Sequence, residues 1–168
     1  DLLKKMKKVD VNFTITTLNE NWKKVTEPCS SSAKQRLETA RKLTQEGITV
    51  YAMMGPYWHR FTNPEVLFKE FKKVGIKKVF TESFNTVGGN WTGVDKILQK
   101  KYPELRDSMR ETLFDPQQFQ EFYQREREKV EELSTGRLKE IYKLSNHDER
   151  VEQIHLLTKE LESGLVGE

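Results

Sequence analysis

Ile48-Thr49-Val50-Tyr51-Ala52-Met53-Met54 is an almost unbroken apolar run closed by Gly55-Pro56. Such a run is expected of a parallel strand covered on both faces. Upstream, Val11-Asn12-Phe13-Thr14-Ile15-Thr16-Thr17-Leu18 alternates strictly. Val11, Phe13, Ile15 and Thr17 fall on one side of a strand, and Asn12, Thr14 and Thr16 on the other. Downstream, Lys77-Lys78-Val79-Phe80-Thr81-Glu82-Ser83-Phe84 supplies a third strand. Between these runs lie helical patterns. Ser32 and Gln35 have capping-box spacing ahead of Leu37, Ala40, Leu43 and Thr44, and Gly47 closes that helix. Asn63-Pro64 opens a second helix whose stripe is Leu67, Phe68, Phe71 and Val74, closed by Gly75. The order strand, helix, strand, helix, strand predicts right-handed crossovers onto a parallel sheet. Three strands alone would leave two open edges, so the pattern suits part of a larger barrel or sheet.

After Trp91 the composition shifts. Val94, Ile97, Leu98 and Tyr102 predict a helix, and Pro103 restarts one through Leu105, Met109 and Leu113. Asp115-Pro116 opens another with Phe119, Phe122, Tyr123, Val130 and Leu133 as its apolar face. Leu138, Ile141, Tyr142 and Leu144 continue the pattern past Ser134-Thr135-Gly136. A final helix is expected to carry Val151, Ile154, Leu157 and Leu161, which also places His147 and His155 in helices. The predicted fold class is therefore α/β, with half of a βα barrel over residues 1–93 and a helical extension over 94–168.

The 168 residues carry 29 Lys and Arg against 26 Asp and Glu, a net charge of +3. That balance is too mild to demand a polyanionic partner. The Lys4, Lys5, Lys7, Lys8, Lys72, Lys73, Lys77 and Lys78 cluster is accordingly a solvated face before it is a nucleic-acid surface. Nine Phe, five Tyr and three Trp argue against wholesale disorder. No apolar run is long enough to cross a bilayer and no signal peptide precedes the first strand, so a cytoplasmic protein with no membrane partner is expected. The single cysteine, Cys29, excludes a disulfide framework and a cysteine-rich metal site within these residues. A chain opening on Asp1 is expected to be a piece of something longer.

In parallel α/β folds ligands bind beyond the carboxyl ends of the strands. Three segments qualify: Thr16 to Glu20 with Glu27-Pro28, Gly55 to Arg60, and Glu82 to Trp91. The polar Asn12, Thr14, Thr16 face implies either a ligand-lined interior or a solvated edge strand.

The run Val11 to Leu18, then Glu27-Pro28, a serine-rich step, Arg36-Leu37, Gly47-Ile48 and a strand ending in Pro56 resembles the second half of the radical S-adenosylmethionine barrel. The nearest branch is the spore photoproduct lyase-like group, also called DNA repair photolyase-like. The resemblance spans Val9 to Asn90. It implies that Thr14 and Thr16 approach the cofactor's ribose, that Arg36 pairs with its carboxylate, and that Met54 and Gly55 pack on its adenine. Trp58, His59, Glu82 and Asn85 are the implied pocket-facing candidates. It also implies a [4Fe–4S] cluster on a CxxxCxxC motif, which this chain lacks. The expectation is a lyase-like fragment, inert alone, whose partner is the cluster-bearing half of the barrel. Self-association through strand edges and a nucleic-acid substrate are further expectations of that reading. Two alternatives stand beside it: a non-catalytic interaction module with charged amphipathic helices, and a hydrolase using Glu27, His59 and Glu82.

Overall fold

Ser32 caps its helix from both directions. Its hydroxyl accepts from the Gln35 amide at 3.1 Å, and the Gln35 side chain accepts from the Ser32 amide at 2.9 Å. The computed structural model describes residues 2–134, 139–143 and 155–160. A short helix α1 (Leu2–Lys5) precedes β1 (Asp10–Thr14), α2 (Glu20–Thr26), α3 (Ala33–Gln45), β2 (Thr49–Met54), α4 (Pro64–Lys73) and β3 (Lys78–Thr81). Then follow α5 (Asn90–Lys101), α6 (Pro103–Phe114), α7 (Pro116–Leu133), β4 (Lys139–Lys143) and β5 (His155–Glu160). Asn63 and Asp115 cap α4 and α7 through their side chains, each with proline in the first turn. Gly47 and Gly75, both at φ 78°, turn the chain out of α3 and α4 in the left-handed region that glycine tolerates.

The protein is mixed α/β. Strands β1, β2 and β3 are parallel and adjacent in chain order, β5 adds antiparallel to β3, and β4 adds antiparallel to β5. Among the described residues β1 stands at the opposite edge. The register pairs Asn12 with Tyr51 and Thr14 with Met53, then Met53 with Phe80. Because side chains alternate, these residues share one face. The other face carries Ile15, Val50, Ala52, Met54 and Val79, which pack against Ala33, Leu37 and Ala40 of α3 and Leu67, Phe68 and Phe71 of α4. Both crossover helices therefore lie on the same side. Asn12 and Thr14 are exposed, and Tyr51, Met53 and Phe80 are half-buried. Strand β2 is thus covered on one face, whereas its apolar run predicts cover on both.

A second core closes the carboxyl ends of the strands. Trp22 of α2 is fully buried, stacked on Phe61 at 3.9 Å and edge-on to Trp58 at 5.3 Å. Phe84, Val94, Leu98, Met109, Leu113 and Phe119 complete it from the segment after β3 and from α5 to α7. Phe119 and Phe122 are buried, so the aromatic face of α7 is core.

The extension over 94–168, predicted to be wholly helical, also carries strands. Among the described residues helices run to Leu133, and Lys139–Lys143 and His155–Glu160 are strands. His155 accordingly sits in a strand. Short apolar groups such as Ile141-Tyr142 satisfy helical spacing and strand propensity equally, and the unpaired edge of β3 offers a ladder that an isolated helix does not. His147, and the predicted helix positions Val151, Ile154 and Leu161, lie outside the described residues. Helix α2, read as loop from its polar run, forms because Asn19 accepts from the Asn21 and Trp22 amides and Trp22 anchors its one apolar side. Among the described residues no helix is long and apolar enough to cross a membrane.

Candidate functional site

At the end of β1 a chain of side chains converges on the backbone. Arg36, from the first turn of α3, reaches back to donate to the Thr14 carbonyl. Its second terminal nitrogen meets Glu27 at 2.8 Å, and its Nε donates to Ser31 Oγ at 3.3 Å. Ser30 Oγ donates to the Glu27 carboxylate region, and Lys23 Nζ holds Ser30 Oγ at 2.7 Å. Only 12% of the Arg36 side chain is exposed. A guanidinium so enclosed is positioned as well as charged, because its planar fork matches carbonyl and carboxylate geometry. Glu27-Pro28 therefore does more than turn the chain: it orients Arg36 at the edge of the sheet.

Thr14 and Thr16 end differently. The Thr14 side chain lies exposed on the open sheet face, whereas Thr16 is buried and its carbonyl accepts from Thr62 Oγ1 at 2.8 Å. Thr17 Oγ1 donates to the Phe61 carbonyl at 2.5 Å, fastening the loop after β2 to the end of β1. Met54 is fully buried on the helix-covered face, so it does not share a face with Thr14. Met53 does. Gly55, joined to Pro56 by a cis peptide bond, is buried, and a Cβ there would fall 2.4 Å from Glu82 Cγ. What approaches Gly55 is thus the Glu82 stem.

The pocket-facing candidates separate. Trp58 is buried in the second core. Asn85 is exposed and its side chain accepts from the Val87 amide at 2.8 Å, which shapes a turn. His59 is half-buried, edge-on to Phe122, with Nε2 accepting from Arg60 Nε at 3.1 Å. Burial, then the charges of Arg60 and Arg125, hold its pKa below the ordinary imidazole value. Its Nδ1 is buried with no partner among the described residues. Glu82 lines a pocket of about 660 Å³ between the end of β3 and α7, and burial pushes its carboxyl pKa up. Glu27, His59 and Glu82 belong to separate side-chain environments.

Sequence reasoning missed one buried polar pair. Tyr57 donates its hydroxyl to Glu126 at 2.6 Å, and Lys129 donates to the same carboxylate at 2.8 Å. Burial pushes the Tyr57 hydroxyl far up. On Glu126 the upward effect of burial is outweighed by Lys129 and Tyr57, so its pKa lies below the usual carboxylate value. Glu126 falls on the apolar spacing of α7, with Phe119, Phe122 and Val130, and that placement is the signal that marks it.

The fold and site together define an α/β protein whose parallel sheet is helix-covered on one side and half-open on the other, with an arginine-bearing edge. The chain is 28% identical over 109 residues to the uncharacterized protein ORF301 of Acidianus two-tailed virus. The alignment takes in 60% of this chain and 36% of that protein, so the chain spans about a third of the relative's length. No family model and no solved structure matches.

Proposed function

We propose that this chain is the carboxyl-terminal part of a radical S-adenosylmethionine enzyme of the spore photoproduct lyase-like group, forming one wall of its barrel. One observation carries the reading. Three parallel strands stand in chain order with both crossover helices on one side, an arrangement that supports a barrel segment over a doubly wound sheet. The opposite face, with Asn12, Thr14, Tyr51, Met53 and Phe80, then corresponds to a barrel interior, and the free edge of β1 to the seam where preceding strands would pair.

The cluster does not fit these residues. Cys29 is the sole cysteine and is exposed, and among the described residues no group of His, Cys, Asp and Glu could hold a metal ion. The thiolates must come from residues outside this chain, and this chain alone is inert. S-adenosylmethionine fits better. Held in the assembled enzyme, it would supply hydrogen-abstracting radical chemistry, the electron for its cleavage coming from a cluster borne outside this chain. Arg36, prealigned by Glu27 and Ser31, would exchange one carboxylate partner for the cofactor's. Thr14 would offer its hydroxyl to the ribose and Thr16 backbone would border it, while Gly55 is filled by the Glu82 stem and takes no part. Met53 is the methionine on that face.

The test is the complete reading frame that contains these residues. A CxxxCxxC after a β-strand, followed by 5′-deoxyadenosine formation on anaerobic reconstitution of the whole protein, is the expected result. A whole protein without such cysteines, and forming no 5′-deoxyadenosine with its natural partners, sinks the proposal and leaves a binding module with charged helices.

A further inference from the structure

The pocket between the end of β3 and α7 has a size suited to a small molecule, within the roughly 300 to 1,000 Å³ of typical ligand sites. Its walls divide by chemistry. Tyr57, Phe119 and Tyr123 contribute ring surface, Glu82 and Gln120 contribute polar groups, and Arg127 contributes a cation already paired with Glu131 at 3.0 Å. Most of its polar atoms are committed elsewhere. Tyr123 donates to the Tyr57 carbonyl and accepts from the Phe84 amide. Glu126 is held by Tyr57 and Lys129, and Gln124 donates to Glu128. Glu82 is different. Its stem is wedged against Gly55, where a Cβ would stand 2.4 Å from Cγ, and among the described residues nothing donates to its carboxylate. Its oxygens are not sealed from water, so they are hydrated until a ligand's donors replace that water.

We propose that this pocket binds a flat aromatic or heteroaromatic ligand bearing an amidine-like pair of N–H groups, which Glu82 receives with both carboxylate oxygens while the rings of Tyr57, Phe119 and Tyr123 take the apolar frame. The pairing is the mirror of arginine on carboxylate: two parallel donors on two acceptors, with the acceptor fixed by the protein. The wedge against Gly55 pins the Glu82 stem, so little side-chain freedom is lost on binding. The inference rests on the pocket alone and stands apart from the cofactor proposal.

Benzamidine is the probe, because it joins a ring to two parallel N–H donors; benzoate keeps the ring and reverses the charge. Both are titrated into the full chain and followed by amide correlation spectra. Benzamidine should move the resonances of Glu82, Tyr123 and Gln124 and saturate, with benzoate leaving them in place. Glu82→Gln, confirmed folded by its spectrum, should weaken benzamidine about tenfold or more. Equal binding of benzoate, benzamidine shifts confined to another region, no saturable binding, or a folded Glu82→Gln that binds as the parent does would each overturn it. Should Glu82→Gln fail to fold, the benzamidine and benzoate comparison on the parent chain decides the matter.

Discussion

Replacing Gly55 by alanine tests how the end of β2 is packed against the end of β3. The added Cβ would stand 2.4 Å from Glu82 Cγ, against an ordinary carbon contact of about 3.5 to 4.0 Å. The two must separate by more than ~1 Å. Cγ lies near the root of the Glu82 side chain, so the strain cannot be shed by moving a flexible tip. Overpacking of this kind costs about 1 to 3 kcal/mol. With an m-value near 2 kcal/mol per molar urea, a 2 kcal/mol loss lowers the unfolding midpoint by about 1 M. Gly55 is not among the glycines with positive φ, so backbone strain is not the cause. The decisive variant is therefore Gly55→Ala in a Glu82→Ala background, where Cγ is gone. There the substitution should cost under about 0.5 kcal/mol, or stabilise slightly by restricting the unfolded chain. The coupling read from the double-mutant cycle should be about 1 to 3 kcal/mol. Equal costs of Gly55→Ala in the two backgrounds would refute the wedge.

Two further outcomes follow from side chains already placed. Ser32→Ala removes one half of a reciprocal cap and should lower stability by about 1 kcal/mol by urea denaturation, with Ser32→Gly costing only a few tenths. Glu82→Gln bears on pH. Burial raises the folded pKa of Glu82 above its unfolded value of about 4.3, so its ionised form weakens the fold once pH exceeds that raised value. The variant should be more stable than the parent at neutral pH, and the difference should vanish as pH falls below the unfolded pKa. Midpoints measured across the acidic range check this, and an advantage that persists at the acid end would contradict it.

The helix boundaries were legible because they are local. The Ser32 and Gln35 pair, Asn63-Pro64, Asp115-Pro116, Gly47 and Gly75 each satisfy a hydrogen bond or a backbone angle within a few residues, and the structure uses each as its chemistry suggests. The parallel order of three strands was legible for the same reason, since helices of this length between strands permit little else. What escaped was decided at a distance. β4 and β5 depend on the edge of β3, and α2 depends on the aromatic company that Trp22 keeps. The site divides likewise. Arg36 and Glu27 are nine residues apart and meet as a pair, whereas the choice of Met53 over Met54 for the open face needs the register of β1 on β2. The Tyr57 to Glu126 bond spans 69 residues and has no local signature beyond a glutamate at a core position.

The second core also makes the protein its own optical reporter. Trp22 and Trp58 lie 5.3 Å apart with their planes at 80°, and Trp22 lies flat on Phe61. Indoles this close and crossed share excitation, so they absorb circularly polarised light as a coupled pair rather than as two separate dyes. One indole arrives on the helix after β1 and the other on the loop after β2. The coupled signal therefore exists only while those two connections are closed over the sheet, and its loss on heating or in denaturant times the opening of that end separately from the unfolding of the sheet itself.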